Sequence, residues 1–432
     1  MIAALIAFAL VLALCFFGVR IGFASLTVGF AGVALERGLN AGMTMVGQQV
    51  LEDAMNYNLS VIPLFILMGT FIHRSEISTD LYNAAYAGLS RIRGGLAHST
   101  VVACAGFSAV CGSSLATAAT MTKVGMPSMR KYNYNPALAT GTIAAGGTLG
   151  IMIPPSVPLV IYGLVTQQDI GLLFLAGIIP GLLLVLSFLI VVSLWARFSP
   201  DAAPFDQQDL DSSSKRKSVL AVIPILALFI LVLGGIYGRI FTPTEASGVG
   251  AFGAALIALN RGYLWKISEW REALVETVIS TSSIFAVLFG AIVFLQYITL
   301  TGMPFDLMFW IEDMGLTPLG LVVMVTVIAL LMGMVFEAIG ILLLVVPVFL
   351  PALELAGVDL IWFGILIVLV IELGLITPPI GMNVFVVNSM VPDVGLSSVF
   401  KGVMPFALAM LVILVLLIAF PSIVTLLPSM AG

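Results

Sequence analysis

Long, nearly uninterrupted apolar stretches recur along this chain from its first residues to its last few. Stretches such as 182–195 and 405–420 lack the alternation of a barrel strand. In hydrocarbon every backbone amide needs a partner within the chain, which leaves only helices or a closed barrel. The pattern therefore predicts helices throughout, in an all-α polytopic membrane protein whose first span is 2–19.

Composition supports this prediction, because 61% of the residues are hydrophobic and only 9% are charged. A water-exposed domain needs roughly a quarter of its residues charged. The net charge of -5 includes no basic patch that would indicate nucleic acid. No Walker-type loop is present, so ATP is not the expected fuel. The cysteines and histidines are scattered without metal-ligand spacing, so no transition-metal site is expected.

A polar segment at 198–218 divides the chain into two halves of similar length, 1–197 and 219–432. Shifting one half by 224 residues places Gly150–Pro155 on Gly374–Pro379, and also aligns two further Pro and Gly pairs. One such match would be chance in a chain this rich in Gly and Pro, but several at a single offset indicate duplication. We interpret 198–218 as a cytoplasmic linker between two repeats.

The distribution of basic residues predicts how each repeat is oriented, because positively charged loops stay in the cytoplasm. Arg91, Arg93 and Arg130 flank the stretch 94–129, so this stretch begins and ends on the cytoplasmic side. Two arms of about 16 residues would reach only about 24 Å at the α-helical rise. That length favours a re-entrant hairpin over two full spans, with its tip near 111–114.

The equivalent stretch of the second half, 316–354, is flanked by acidic residues and by no lysine or arginine. Its mouth is therefore predicted to face the opposite side, which makes the two repeats inverted. The full count is about ten spans plus the two hairpins. The more polar segments 78–89 and 303–312 are predicted to lie along the membrane interface as connecting arms.

Each repeat continues with a helix that a Pro-Pro pair should interrupt, over 136–165 and 360–391. Proline has no amide hydrogen and clashes with the carbonyl four residues earlier, so the helix must open there. The freed carbonyl oxygens suit Na⁺, although water or a neighbouring helix would also satisfy them. Paired interruptions in inverted repeats indicate a transport site near the middle of the membrane.

Several motifs carry a resemblance to a known family: Pro63–Gly69, Cys111–Ser114, Gly150–Ser156, Gly238–Ala246 and Leu375–Asn383. Over essentially its whole length the chain resembles the large transmembrane subunit of tripartite ATP-independent periplasmic (TRAP) transporters, within the ion transporter superfamily. The resemblance implies an elevator-type protein of the bacterial inner membrane that takes up a carboxylate with Na⁺. It also implies two partners, a small transmembrane subunit and a periplasmic substrate-binding protein.

The resemblance further implies two Na⁺ sites that use mainly backbone carbonyls. The first would combine Ser113 with Gly150, Ile153 and Pro155, and the second Gly333 with Gly374, Thr377 and Ile380. Many relatives carry Ser-Gly-Ser at the first hairpin tip, whereas this chain has Cys111-Gly112-Ser113. Intramembrane carboxylates are costly and often functional, so Glu337 is a candidate for a role linked to ion binding, and Glu372 is open to the same interpretation.

Four residues between the predicted tips and breaks are candidate substrate contacts: Ser114, Thr117, Ser156 and Asn383. Each could equally bind a neighbouring helix. A stand-alone dicarboxylate or anion transporter of the same superfamily is the alternative function. An intramembrane enzyme is disfavoured, because the sequence holds no HExxH motif and no Ser-His constellation. The sequence leaves open which acid is carried, whether a C4-dicarboxylate, a sialic acid or another carboxylate.

Overall fold

In a computed structural model, which describes residues 2–205 and 212–431, the chain is helical along almost its whole length. Within these residues there are twenty α-helices and no β-strand, so the all-α prediction is confirmed. The helices are α1 (Ile2–Phe16), α2 (Ile21–Arg37), α3 (Leu39–Ala54), α4 (Val61–Arg74), α5 (Ile77–Leu89), α6 (Gly95–Cys111), α7 (Ser114–Lys131), α8 (Pro136–Met152), α9 (Val157–Thr166), α10 (Ile170–Phe198), α11 (Ser212–Tyr237), α12 (Pro243–Asn260), α13 (Ile267–Leu300), α14 (Met303–Asp313), α15 (Pro318–Gly333), α16 (Ala338–Leu355), α17 (Leu360–Gly374), α18 (Met382–Met390), α19 (Leu396–Ala419) and α20 (Ser422–Ala431).

Fewer helices are long enough to cross a membrane than the predicted ten spans. In the described part of the chain six helices qualify by length and apolarity, counting α8 and α9 as one, or seven if the bent α3–α4 pair is included. A crossing needs about 20 residues. Helices α1, α15 and α17 have only 15 or 16 residues each. Helix α1 ends at Phe16, three residues before the predicted end at Val19. Gly18, two residues after the helix end, has φ 88° and so terminates the helix in a left-handed conformation.

The predicted linker 198–218 includes residues 206–211, which lie outside the described residues. On its two sides, α10 ends at Phe198 and the backbone of α11 is already helical from Ser212. The two predicted connecting arms form the short helices α5 and α14. Helix α5 packs against α6 and α11, and α14 packs against α13 and α16. Each of these short helices therefore connects two groups of helices, which are defined by the contacts described next.

The two groups are distinguished by which helices pack together. In the first group, α2 and α3 pack with α13, while α4 packs with α12 and α13, and α11 packs with α12. In the second, α8 packs with α6, α7 and α19, while α17 packs with α10, α15 and α16. The groups meet where α13 contacts α16 and where α4 contacts α6 and α9.

The second group forms the most buried part of the molecule. In the most apolar window of α8–α9, 83% of the residues are buried, compared with 28% for α13. A helix that is apolar on every face is normally enclosed by other protein or by lipid. Here α8 and α17 are enclosed by protein, so their polar atoms face other helices rather than lipid.

Close backbone contact joins α2 to α13 in the first group. A Cβ atom added at Gly290 would overlap the Gly22 carbonyl, and one added at Gly22 would lie 2.5 Å from the Ala286 carbonyl oxygen. Small residues allow membrane helices to approach in this way.

We expect the variant Gly290→Ala to lose about 1–3 kcal/mol of stability through overpacking, because neither backbone can yield. Thermal unfolding in detergent measures this loss. Gly47→Ala in α3 is the matched control, since nothing lies within 4 Å of its added Cβ. Equal melting temperatures for the two variants would contradict the proposed packing.

Candidate ion and substrate site

Two helices of the second group are interrupted at their Pro-Pro pairs. Helix α8 ends at Met152 and α9 begins at Val157, while α17 ends at Gly374 and α18 begins at Met382. Both Pro-Pro peptide bonds are cis. The first break is buried at Pro154 and Pro155, whereas the prolines of the second break are exposed.

The first break leaves backbone acceptors without their helical donors. Pro154 and Pro155 have no amide hydrogen, so the carbonyls of Gly150 and Ile151 lose the partners that a continuous helix would supply. In the second break, by contrast, the Leu375 carbonyl accepts a hydrogen bond from the amide of Asn383 at 3.1 Å. The first break therefore leaves two carbonyl oxygens that a cation could use.

The tip of the α6–α7 hairpin lies directly against the first break. A Cβ atom added at Gly150 would lie 2.9 Å from the Ser113 carbonyl oxygen, and one added at Gly112 would lie 3.6 Å from that of Pro155. Gly112 has φ 60°, which lets the chain turn sharply between the two arms. Ser113, Gly150 and Pro155 are thus brought together. The side chain of Ile153 points away, toward Gly181 of α10.

The α15–α16 hairpin approaches the second break in a similar way. A Cβ added at Gly374 would lie 2.6 Å from the Cα of Gly333, and the amide of Gly381 donates to the Met334 carbonyl at 3.4 Å. The Thr377 hydroxyl donates to the Leu373 carbonyl at 2.5 Å. Ile380 lies farther along the break and lines a cavity. Gly333 and Gly374 therefore meet, whereas the Thr377 hydroxyl proton is used within its own segment.

A cavity of about 460 Å³ opens between the two hairpin tips and the first group of helices. Helices α4 and α13 each line this cavity with one face, through residues at i, i+3, i+4 and i+7 spacing. These residues are Ile66, Gly69, Thr70 and His73 of α4, and Glu276, Ile279, Ser280 and Ser283 of α13. A second cavity of about 770 Å³ adjoins it and shares Ser283, Ile284, Glu337 and Ile339. The first cavity is large enough for a small organic ligand.

Glu337 is exposed where the sequence analysis expected a costly buried carboxylate. It immediately precedes α16 and faces both cavities. A carboxylate that lines a cavity keeps its access to water or ions and pays less for its charge. Glu372, by contrast, is fully buried, and both of its carboxyl oxygens lie 2.7 Å from the hydroxyl oxygen of Ser114.

The four predicted substrate contacts occupy different surroundings. Ser114 lines the first cavity, but its hydroxyl is bonded to Glu372. Among the residues that the structure describes, Thr117 and Ser156 are buried without an oxygen or nitrogen partner, and Thr117 lies beside the Cys111 thiol. Asn383 is buried, and its amide nitrogen donates to the Ala144 carbonyl at 3.3 Å. Neither cavity is lined by Thr117, Ser156 or Asn383.

Apart from Glu337, the charged residues that line the first cavity, Lys123 and Glu276, were not among the predicted site residues. Arg74 forms ion pairs with Glu276 and Glu272, both at 2.9 Å. Across the described part of the chain, Lys123 has no acidic partner within ion-pair distance, and its side chain is exposed to the cavity. The nearby Thr120 hydroxyl lies 3.3 Å from Nδ1 of His73.

A sequence signal for Lys123 existed. Ala116, Thr120 and Lys123 follow each other at i, i+4 and i+7 from the hairpin tip, so one face of α7 carries them toward the same space. The helical periodicity of α7 therefore places Lys123 on the same face as Ala116, and this pattern is visible in the sequence.

An all-helical chain with several membrane-length apolar helices, two interrupted helices and a cavity between two hairpin tips has the architecture of a multi-pass membrane transporter. Comparison with known proteins gives the family. Residues 1–423 match the model of the tripartite ATP-independent periplasmic transporter, DctM component, and the chain belongs to this family, as the sequence analysis predicted.

Named relatives lie within the same family. The chain is 34% identical to the C4-dicarboxylate TRAP transporter large permease protein DctM of Pseudomonas aeruginosa, over 89% of each chain. It is 32% identical to the sialic acid TRAP transporter large permease protein SiaM of Vibrio cholerae, over 97% of each. The crystal structure of the Alcanivorax borkumensis YdaH transporter shares the fold, with a TM-score of 0.64, 15% identity and 88% coverage of each chain.

Proposed function

We propose that this chain is the large permease subunit of a sodium-coupled transporter that takes up an organic acid across the bacterial inner membrane. One observation carries the proposal: each hairpin tip lies against a helix break, and both tips border one cavity. This arrangement brings candidate cation ligands and a ligand-sized space together. Family membership favours this function over the stand-alone transporter.

Sodium coupling is supported by the ligands available at the first break. The Gly150 and Ile151 carbonyls lack helical donors, and the Ser113 carbonyl oxygen would lie 2.9 Å from a Cβ atom added at Gly150. Oxygen ligands of this kind suit Na⁺, and unwound backbone in transporters commonly coordinates it. We propose the second site around Gly333 and Gly374, with Thr377 contributing an oxygen ligand. Its hydroxyl donates its proton to the Leu373 carbonyl, which leaves the lone pairs of the hydroxyl oxygen free to face a cation.

The proposed substrate is a carboxylate or another organic anion held in the first cavity. Lys123 is its proposed counter-charge, because this ammonium group has no acidic partner among the described side chains. The relatives are named for a C4-dicarboxylate and for sialic acid, both organic acids. We do not assign Thr117, Ser156 or Asn383 to the substrate, since these side chains lie outside both cavities.

The proposed partners are a small transmembrane subunit and a periplasmic substrate-binding protein. A longer relative, the isethionate TRAP transporter permease protein DctMQ of Oleidesulfovibrio alaskensis, is 30% identical, and this chain covers 63% of its length. The docking surface of the small subunit would lie on the first group of helices, whose long helix α13 is the least buried of the membrane-length helices.

We propose an elevator movement, in which the second group of helices slides past the first and carries the cavity contents with it. The two groups meet through only a few helix pairs. The hairpin and broken helix occur in the same order in each half, as a duplicated unit would give. We propose that the two repeats in this mobile group are inverted.

Uptake into liposomes that contain both membrane subunits, with the binding protein outside, tests this function. We expect uptake only with an inward sodium gradient, and none with a potassium gradient of the same size. Uptake that persists unchanged without sodium would contradict the coupling. Uptake that needs no binding protein would instead support the stand-alone alternative. A thermal-shift screen of the binding protein against organic acids would identify the substrate to use.

A further inference from the structure

Helix α13 carries four consecutive hydroxyl side chains, at 280–283, in the middle of its apolar sequence. In a membrane helix such a hydroxyl usually donates to the carbonyl three or four residues earlier. Thr27, Thr70 and Thr277 of the first group all form this bond. Across the described residues, none of the four hydroxyls at 280–283 has a hydrogen-bond partner. Packing within the described chain therefore does not account for this polar run.

Two of the four hydroxyls face the first cavity. Ser280 and Ser283 line it, together with Glu276 one turn before Ser280. Their spacing of i, i+4 and i+7 places all three on one face of α13. Both hydrogen bonds from Arg74 to Glu276 go to Oε2, at 3.1 and 2.9 Å, so Oε1 stays available as an acceptor. This wall therefore offers two hydroxyl groups, each both a donor and an acceptor, and one carboxylate oxygen.

The charges that line the first cavity are unequal in number. Lys123 is the only lysine or arginine among the described lining residues, whereas Glu276 and Glu337 are both carboxylates. Arg74, which follows the lining residue His73, is already paired with two glutamates. One carboxylate of a substrate can pair with Lys123. A second would lie near like charges without a cation of this chain to balance it, which is costly. The lining therefore favours a ligand with a single carboxylate.

We propose that the transported acid is a monocarboxylate with several hydroxyl groups, of the aldonic, uronic or sialic acid type, and that Ser280 and Ser283 determine this specificity. The substrate carboxylate pairs with Lys123, and the substrate hydroxyls exchange hydrogen bonds with the two serines and with Oε1 of Glu276. A wall of this kind rejects an analogue without hydroxyls, because its own polar groups are then left unpaired. This substrate class rests on the proposed function, which places the substrate in the first cavity.

Thermal unfolding of the purified large subunit with added acids tests the substrate class without the binding protein. In sodium chloride we expect gluconate, galacturonate or N-acetylneuraminate to raise the melting temperature, and succinate, fumarate and hexanoate to leave it unchanged. The stabilisation should disappear in potassium chloride.

Two other results of this screen have different meanings. Greater stabilisation by succinate or fumarate than by any hydroxylated acid would overturn the substrate class and leave sodium-coupled uptake of an organic acid intact. Stabilisation by none of the six acids would overturn the substrate class and would also count against the first cavity as the substrate site.

Calorimetric titration with the most stabilising acid tests the two serines. The double variant Ser280→Ala/Ser283→Ala should bind this acid about tenfold or more weakly, because each neutral hydrogen bond contributes several-fold to affinity. Its sodium affinity should not change. Ser282→Ala is the matched control, since Ser282 belongs to the same run but lines neither cavity. That variant should bind the acid as the wild type does.

Monodeoxy analogues of the same acid separate a direct contact from a structural effect. At least one analogue should bind the wild type more weakly than the parent acid, and the double variant should bind the two equally. An unchanged affinity of the double variant for the parent acid would overturn the role of the two serines. The same conclusion would follow if every analogue were weakened by the same factor in both proteins.

Discussion

Replacing Gly374 with alanine is expected to lower sodium-driven uptake about tenfold or more. The added Cβ would lie 2.6 Å from both the Cα and the carbonyl carbon of Gly333, and neither backbone can rotate away as a side chain could. Separating the two segments opens the contact between the second hairpin and the second break. Overpacking of this kind costs about 1–3 kcal/mol, and about 1.4 kcal/mol already corresponds to a tenfold change in affinity. Initial uptake rates at several sodium concentrations measure the effect.

Gly395→Ala is the control for this variant. Gly395 precedes α19 with φ -58°, and no atom lies within 4 Å of its added Cβ. This variant should transport normally. Thermal unfolding of both variants separates a local effect on uptake from a general loss of folding. Wild-type uptake by folded Gly374→Ala protein would show that the close contact at the second break is not needed for transport.

Replacing Lys123 with glutamine is expected to raise the substrate concentration for half-maximal uptake by roughly tenfold or more. A hydrogen bond to a charged group contributes about 1.5–3 kcal/mol, and glutamine removes the charge while keeping a donor. The sodium requirement should change little, because Lys123 lies on α7 beyond Thr120, about nine residues along the helix from the hairpin tip. Uptake measured over a range of substrate concentrations distinguishes the two effects.

Lys401→Gln serves as the matched control for the Lys123 variant. Lys401 is also exposed and belongs to the second group of helices, but it lines neither cavity. It should leave substrate affinity unchanged. If the two lysine variants transported with the same half-saturation as the wild type, Lys123 would not hold the substrate.

Much of the fold could be predicted because a few strong local rules govern it. Apolar composition requires helices in lipid, and a Pro-Pro pair removes two helical donors wherever it occurs. The breaks near Pro154 and Pro378 follow from chemistry that does not depend on the rest of the chain. The motif resemblance added the pairing of each break with a hairpin tip, which periodicity alone does not give.

Other features depend on contacts between distant residues, and the sequence does not encode these locally. Whether the Glu337 side chain is buried depends on whether other helices pack over its hairpin tip, and here two cavities leave it exposed. The partner of Glu372 lies 258 positions away. Similarly, the hydroxyl of Thr377 is satisfied by its own segment, which removes its proton from any other contact. The number of membrane spans could not be predicted from length alone, because helices such as α17 are buried in protein and can be shorter than a lipid crossing.

Equilibrium binding of radioactive sodium to the purified large subunit measures ion binding at the hairpin tips and helix breaks without substrate or partner proteins. We expect saturable binding that potassium does not displace. Binding should weaken in Gly374→Ala and remain unchanged in Gly395→Ala. Absence of saturable sodium binding to folded wild-type protein, or identical binding by the two glycine variants, would contradict the proposal that the hairpin tips and helix breaks hold the coupling ion.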